Sequence, residues 1–182
     1  MRKVVVYTLL SVDGVGESPE NYFFDFDEVM LANLTAVIEA QDTVLLGRAQ
    51  YEEWYRYWPS ADDQPFADFI NTVTKHVATS RPLGDDPWTN SHAIEGSVTD
   101  FVRDLKSGEG RDIGVHGSLT LARSLLEAGL VDDLYLVVAP CIAGTGRKLF
   151  DGPSDLRRLT LAASESSPTG SVVQHYQLDA AS

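Results

Sequence analysis

The sequence predicts a three-layer α/β fold: a central mixed, mostly parallel sheet between helices, closed by antiparallel C-terminal strands. Three observations predict it. Strand-like apolar runs alternate with segments of helical period through most of the chain. The runs are apolar nearly throughout, as expected for strands covered on both faces. The final stretch holds two β-rich runs with no helical pattern between them, which suits an antiparallel edge. A length of 182 residues suits one domain, read as 1–182.

The elements follow in order. Lys3–Leu10, rich in Val and Leu, is the first strand, and Ser11–Asp25 a loop punctuated by Gly14, Gly16 and Pro19. Phe26, Met30, Leu34, Val37 and Ile38 recur at helical spacing, so Asp27–Ala40 reads as a helix with acids favourably placed in its first turn. Thr43–Leu46 is a buried strand, Arg48–Tyr57 a helix, and Asp62–Asn71 a weaker one. Lys75–Ala78 is a strand, Arg81–Asn90 a loop, and Ser91–Ile94 a short strand. Val98–Lys106 is a helix capped by Ser97. Asp112–Val115 is a strand, and Leu119–Ala128 a helix stopped by Gly129. Leu134–Ala139 is a strand, and Leu159–Ala163 with Val172–Leu178 form the antiparallel pair.

Composition narrows the function classes. Hydrophobic residues make up 43% and charged residues 23%, an ordinary globular mix. The apolar start reaches only Leu10 before Asp13, so it reads as a strand rather than a leader, and the expected location is cytoplasmic. The single cysteine, Cys141, allows no internal disulfide. A net charge of −13 argues against nucleic acid or an anionic membrane as partner. In so acidic a chain, an anionic ligand needs basic side chains or backbone N–H groups at its binding point.

Three strand-to-turn junctions offer such points. In Leu45-Leu46-Gly47-Arg48, a buried strand meets glycine and then a helix start. Free N–H groups and the helix dipole there favour phosphate, and Arg48 adds a forked cation. In Val115-His116-Gly117-Ser118-Leu119-Thr120, Gly117 and Ser118 could wrap a pyrophosphate, and Ser118 could cap the helix. In Ala78-Thr79-Ser80-Arg81, two hydroxyls and a cation suit an adenosine 2′-phosphate. Taken singly, the first two junctions read equally as ordinary turns, and the third reads better as a solvated strand end. None is a dinucleotide fingerprint of the G-x-G-x-x-G kind, since Gly14-Val15-Gly16 is followed by Pro19 and lies in a loop.

Their order along the chain, with Ser11-Val12-Asp13-Gly14 and Pro140-Cys141-Ile142-Ala143-Gly144-Thr145-Gly146, resembles the dihydrofolate reductase-like superfamily. Within it, the chain is most similar to the reductase domain of the bifunctional riboflavin-biosynthesis deaminase-reductase and its standalone relatives. The resemblance implies NADPH bound across the strand ends, a small-molecule substrate and a homodimer. It implies that Gly47 and Arg48 hold cofactor phosphate. Thr79, Ser80 and Arg81 would sit at the adenosine ribose and 2′-phosphate, and Gly117, Ser118, Leu119 and Thr120 at the pyrophosphate. Asp13 would lie near the nicotinamide as the candidate catalytic residue, with Pro140, Gly144, Gly146 and Arg147 on the substrate side. Gln50 stands where relatives carry Thr or Met. Asp27 begins the first helix, whereas folate-reducing relatives carry a pterin-binding acid further into a helix, which puts folate in doubt as the substrate.

The implied reaction is hydride transfer from NADPH to a C=N or C=O carbon, as in reduction of 5-amino-6-(5-phosphoribosylamino)uracil. Arg147-Lys148 are candidates for a substrate phosphate. The alternatives are another carbonyl or dihydrofolate reduction, or a non-catalytic NADPH-binding or dimerising module. For the module, the aromatic window Tyr51, Trp54, Tyr55, Tyr57 and Trp58 offers an interface, though such a cluster is more often core or a pocket wall. A zinc deaminase is not expected: His92-Ala93-Ile94-Glu95 has one residue too many for H-x-E, and Pro140-Cys141 lacks a second cysteine. Scattered histidines with one cysteine suggest no metal site.

Overall fold

A run of three valines opens the central strand, and the sheet is built outward from it. The computed structural model describes residues 1–23, 25–152 and 155–178; Phe24, within the expected first loop, lies outside them. The elements are β1 (Val4–Ser11), α1 (Glu28–Glu39), β2 (Gln41–Gly47), α2 (Arg48–Tyr57), α3 (Phe66–Thr72), β3 (Thr74–Ala78) and β4 (Ser91–Ala93), then α4 (Val98–Ser107), β5 (Asp112–His116), α5 (Leu119–Glu127), β6 (Asp133–Ala139), β7 (Thr160–Ser166) and β8 (Val172–Gln177). Among the described residues they form one eight-stranded sheet in the order β4-β3-β2-β5-β1-β6-β8-β7. The pairs from β4 to β6 are parallel; β8 runs antiparallel to both β6 and β7. The expected mixed, mostly parallel sheet is the one observed.

Alternation along the strands makes two apolar faces. Val4, Val6 and Leu10 of β1 meet Val102 of α4 and Leu121, Ala122 and Leu125 of α5. Val5 and Tyr7 turn to the other face, against Met30 and Val37 of α1. Beside them, Val44 and Leu46 of β2 pack with Tyr51, Phe66 and Ile70 from α2 and α3. Each fully buried Val or Leu contributes roughly 1.5–3 kcal/mol relative to exposure. This two-sided burial explains why the parallel strands read as apolar runs.

Helix ends largely follow the sequence signals. Asp27 is the N-cap of α1, accepting from the N–H groups of Val29 and Met30. Ser97 caps α4 by accepting from the Asp100 N–H at 3.3 Å. Gly129 ends α5 with a φ of 66°, its N–H donating to the Leu126 carbonyl.

Three details differ from expectation. Phe26 precedes α1 rather than joining its apolar face, and it is exposed. The weaker helix begins only at Phe66, after Pro65. Proline fits the start of a helix but cannot donate an N–H from its interior. Ser118 occupies the N-cap position of α5 without making a side-chain capping bond. Its hydroxyl has another partner.

Candidate functional site

In a parallel α/β sheet, each crossover helix starts at the C-terminal edge of the strand before it. The ends of β2 and β5 are neighbours on that edge, so the starts of α2 and α5 lie side by side. The Gly47 N–H donates to the Ser118 hydroxyl at 3.2 Å, stitching the two starts together. Neither N-terminus has a side-chain cap. Their first-turn N–H groups therefore have no side-chain partner and converge with two helix dipoles of the same sign.

Close approach keeps this seam free of side chains. A Cβ on Gly47 would stand 2.8 Å from the Ser118 hydroxyl oxygen. Gly117 has a φ of +71°, and its Cβ would stand 3.1 Å from the Gln50 amide nitrogen. That amide donates to the His116 carbonyl, bridging α2 to the end of β5. Gly16 belongs here too: a Cβ there would meet Leu119 at 2.8 Å. In the sequence Gly16 reads only as loop punctuation, because its close neighbour Leu119 is about a hundred residues away. Leu119 itself is buried in the core, so at the seam it offers backbone, whereas Gly117 and Thr120 are exposed.

Arg48 reaches from this seam to the third junction. Its Nη1 donates to the Pro82 carbonyl at 2.8 Å, the Arg81 carbonyl at 3.3 Å and the Thr79 hydroxyl at 3.4 Å. Its Nε pairs with Glu52 one turn along at 2.6 Å. The Thr79 hydroxyl also accepts from the Arg81 N–H at 3.1 Å, closing a tight turn. Ser80 and Arg81 are exposed at its tip. The structure thus brings Gly47, Arg48, Thr79, Ser80, Arg81, Gly117 and Ser118 along one edge.

A second rim forms from two distant loops. Asp13 accepts from the Ser11 hydroxyl at 2.7 Å, the Ala143 N–H at 2.9 Å and the Gly144 N–H at 3.1 Å. The Ser11 hydroxyl first, then these N–H groups, hold its carboxyl down to about 2. At neutral pH it is a fixed carboxylate and an acceptor. Beside it, Arg147 meets Glu17 through its side chain at 2.6 Å and its backbone N–H at 3.0 Å. Gly146 faces Val15 so closely that a Cβ would stand 2.7 Å away. Pro140 is exposed, and a Cβ on Gly170 would stand 3.5 Å from its ring. Glu17 carries no signal in the sequence, since its partner Arg147 is 130 residues away, whereas Ser11 bonds Asp13 within its own Ser11–Gly14 segment.

Other candidates resolve into structure. His116 is buried against Phe66 and Phe69, and burial pushes its pKa down to about 3, so it is neutral. Its Nε2 lies 2.8 Å from the Gln41 side-chain oxygen. From the aromatic window, Tyr51, Trp54 and Trp58 pack with Phe66, while Tyr55 and Tyr57 are exposed. Asp27 spends one oxygen on the α1 cap and the other on Thr169 of the β7–β8 turn, at 2.8 Å and 3.1 Å. Two surface hollows near Tyr135 and His175 lie by the start of β6, away from the glycine seam. Among the described residues, no group of three or more His, Cys, Asp or Glu is placed to hold a metal ion. No described helix is long and apolar enough to cross a membrane.

The family model of the RibD C-terminal domain matches residues 2–173. The chain belongs to this family. Two proteins of Bacillus subtilis (strain 168) are similar to this RibD C-terminal domain. The uncharacterized protein YwjB is 26% identical over 181 residues, covering 96% of this chain and 97% of YwjB. The uncharacterized protein YyaP is 25% identical over 155 residues, covering 82% and 80%. Among solved structures, a Shewanella sp. PV-4 protein assigned provisionally to riboflavin biosynthesis shares the fold with a TM-score of 0.78 at 15% identity, covering 97% of this chain and 99% of its own. A pyrimidine reductase-like protein from Corynebacterium diphtheriae reaches 0.69 at 15% identity, covering 98% and 92%. RibD of Acinetobacter baumannii reaches 0.66 at 17% identity, and this chain spans 58% of it.

Proposed function

We propose that this protein is an NADPH-dependent reductase acting on a C=N or C=O carbon of a small substrate. The observation that carries the reading is the pair of uncapped helix starts at Gly47–Arg48 and Gly117–Ser118, joined by the Gly47–Ser118 bond. Two such starts, side by side and kept bare by glycine, suit a pyrophosphate. Family membership supports a reductase, and the resemblance to the riboflavin-pathway domain favours a phosphoribosylaminopyrimidine as acceptor.

The residues then divide the work. Backbone N–H groups of α2 and α5 receive the pyrophosphate. Thr79, Ser80 and Arg81 take the adenosine ribose and its 2′-phosphate, the last supplying a cation at the turn's tip. The bound dinucleotide supplies the hydride. Asp13, fixed as a carboxylate, orients the 143–144 backbone and the substrate beside it. With its carboxyl held near 2, it is an acceptor of substrate hydrogen bonds, and the proton that follows hydride comes from elsewhere. Arg147 and Lys148, at the outer rim, meet a substrate phosphate, with Glu17 releasing Arg147 in exchange.

Isothermal titration with NADPH tests the reading. Binding is expected, weakened about tenfold or more by Arg81→Ala, in line with loss of a charge-assisted hydrogen bond. Absence of binding at millimolar NADPH sinks it. Turnover against the riboflavin intermediate, dihydrofolate and a carbonyl panel then assigns the substrate.

A further inference from the structure

We propose that Glu52 sets how strongly this site prefers a 2′-phosphorylated dinucleotide, by competing with that phosphate for Arg48. The inference rests on the reading of the 79–82 turn as the adenosine end of the site.

The geometry is an ion pair standing where a ligand anion is expected. Arg48 and Glu52 are one helical turn apart on α2, with Nε to carboxylate at 2.6 Å. Nη1 of the same guanidinium is spent on the 79–82 turn, at the Pro82 and Arg81 carbonyls and the Thr79 hydroxyl. Among the described residues, these bonds leave Nη2 over. A phosphate prefers a guanidinium in the forked, two-bond mode. Reaching that mode with Arg48 requires Glu52 to yield Nε.

Charge makes the conflict sharper. The Arg48 hydrogen bond holds the Glu52 carboxyl below its ordinary range, and the charges of Arg81 and Arg56 act in the same direction. Glu52 is therefore ionised and sits among three arginines in a chain of net charge −13. It neutralises part of the positive field that a 2′-phosphate of charge about −2 would otherwise meet. A ribose 2′-hydroxyl carries no charge and loses little from the same neighbour. The acid therefore penalises NADPH selectively and leaves NADH almost untouched. Glu52 is about two-fifths exposed, so water and salt moderate the effect.

The opposite role is also physically coherent and gives the opposite sign. If Glu52 served only to hold Arg48 in its binding pose, removing its charge would weaken NADPH binding.

The experiment is a set of titrations with NADPH and with NADH on wild type, Glu52→Gln and the control Glu53→Gln. The control removes the same charge one residue along, on a different face of the helix. For Glu52→Gln, the ratio of NADPH to NADH affinity is expected to rise roughly three- to tenfold at low salt. The gain should shrink as salt is raised, and Glu53→Gln should leave the ratio unchanged. A ratio that stays constant or falls in Glu52→Gln, with wild type binding NADPH, overturns this inference and leaves the reductase reading standing. Wild type binding neither dinucleotide overturns both. An equal rise in Glu53→Gln also overturns the inference, because net charge rather than the Arg48 pair would then be the cause.

Discussion

Helices α1 and α4 begin with a side chain folded onto their own first turn; α2 and α5 do not. Asp27 and Ser97 supply the two caps. Gly47 has no side chain to offer, and Ser118 has one but turns it to the Gly47 N–H. All four ends face the same physical problem, since the first N–H groups of a helix have no partner within it. Two solve it locally, at a gain of about 1 kcal/mol each. Two leave it open at the centre of the sheet, where neighbouring strands bring their starts together. The short α3 also lacks a side-chain cap, but it starts at Pro65 rather than from a strand end. Under the proposed function, these open ends are the ones that receive the anion.

Four substitutions break or sharpen this comparison. Arg48→Ala should have the largest effect. It removes a cation from the open end and unties the 79–82 turn, so NADPH affinity should fall about ten- to a hundredfold by titration calorimetry. Gly117→Ala comes next. Its left-handed φ of +71° costs an alanine about 1 kcal/mol, and the new Cβ crowds Gln50 at the seam. NADPH affinity should fall about tenfold with only a small loss in Tm.

Ser97→Ala is the matching change at a capped end. It should cost about 1 kcal/mol, seen as a Tm lower by roughly 2–4 °C, and leave NADPH affinity unchanged. A comparable loss of affinity there would erase the functional distinction between the two kinds of helix start.

The smallest effect concerns Asp13→Asn and depends on pH. The native carboxyl is held down to about 2, against an ordinary 3.8. A carboxyl with a lowered folded-state pKa stabilises the fold fully above its ordinary value and loses that contribution as pH falls through the lowered one. Wild type should therefore have the higher Tm at neutral pH, and the gap should close between pH 3.8 and about 2. A gap that is constant over this range would mean the Ala143 and Gly144 bonds do not depend on the charge.

The layers of this molecule were legible in its sequence because each is a local pattern. Val4–Val6, Val44–Leu46 and Leu134–Ala139 are apolar runs, and Ser97 and Gly129 punctuate helices within a few residues of themselves. The site was legible only in its parts. Gly47 and Gly117 could be seen as turns, but not as neighbours, because β5 lies beside β2 through pairing of residues some seventy apart. The Ser118 hydroxyl was expected on its own helix and is found on Gly47 for the same reason. Asp13 could be placed near the chemistry, but not its grip on Ala143 and Gly144, 130 and 131 residues away. Phe26 misled because a helical period extends naturally past a helix start. The polar bonds at Asp27 set where the helix begins, and one of them goes to Thr169, 142 residues distant.

One measurement tests the central claim most directly: an NMR titration of the 15N-labelled protein with NADPH, read as amide shifts along the backbone. The largest shifts should fall on Arg48, Ala49 and Gln50 of α2 and on Ser118, Leu119 and Thr120 of α5, with the capped starts of α1 and α4 nearly still. Saturating NADPH that leaves those six amides unmoved, or that moves the Asp27 and Ser97 ends instead, would contradict the account.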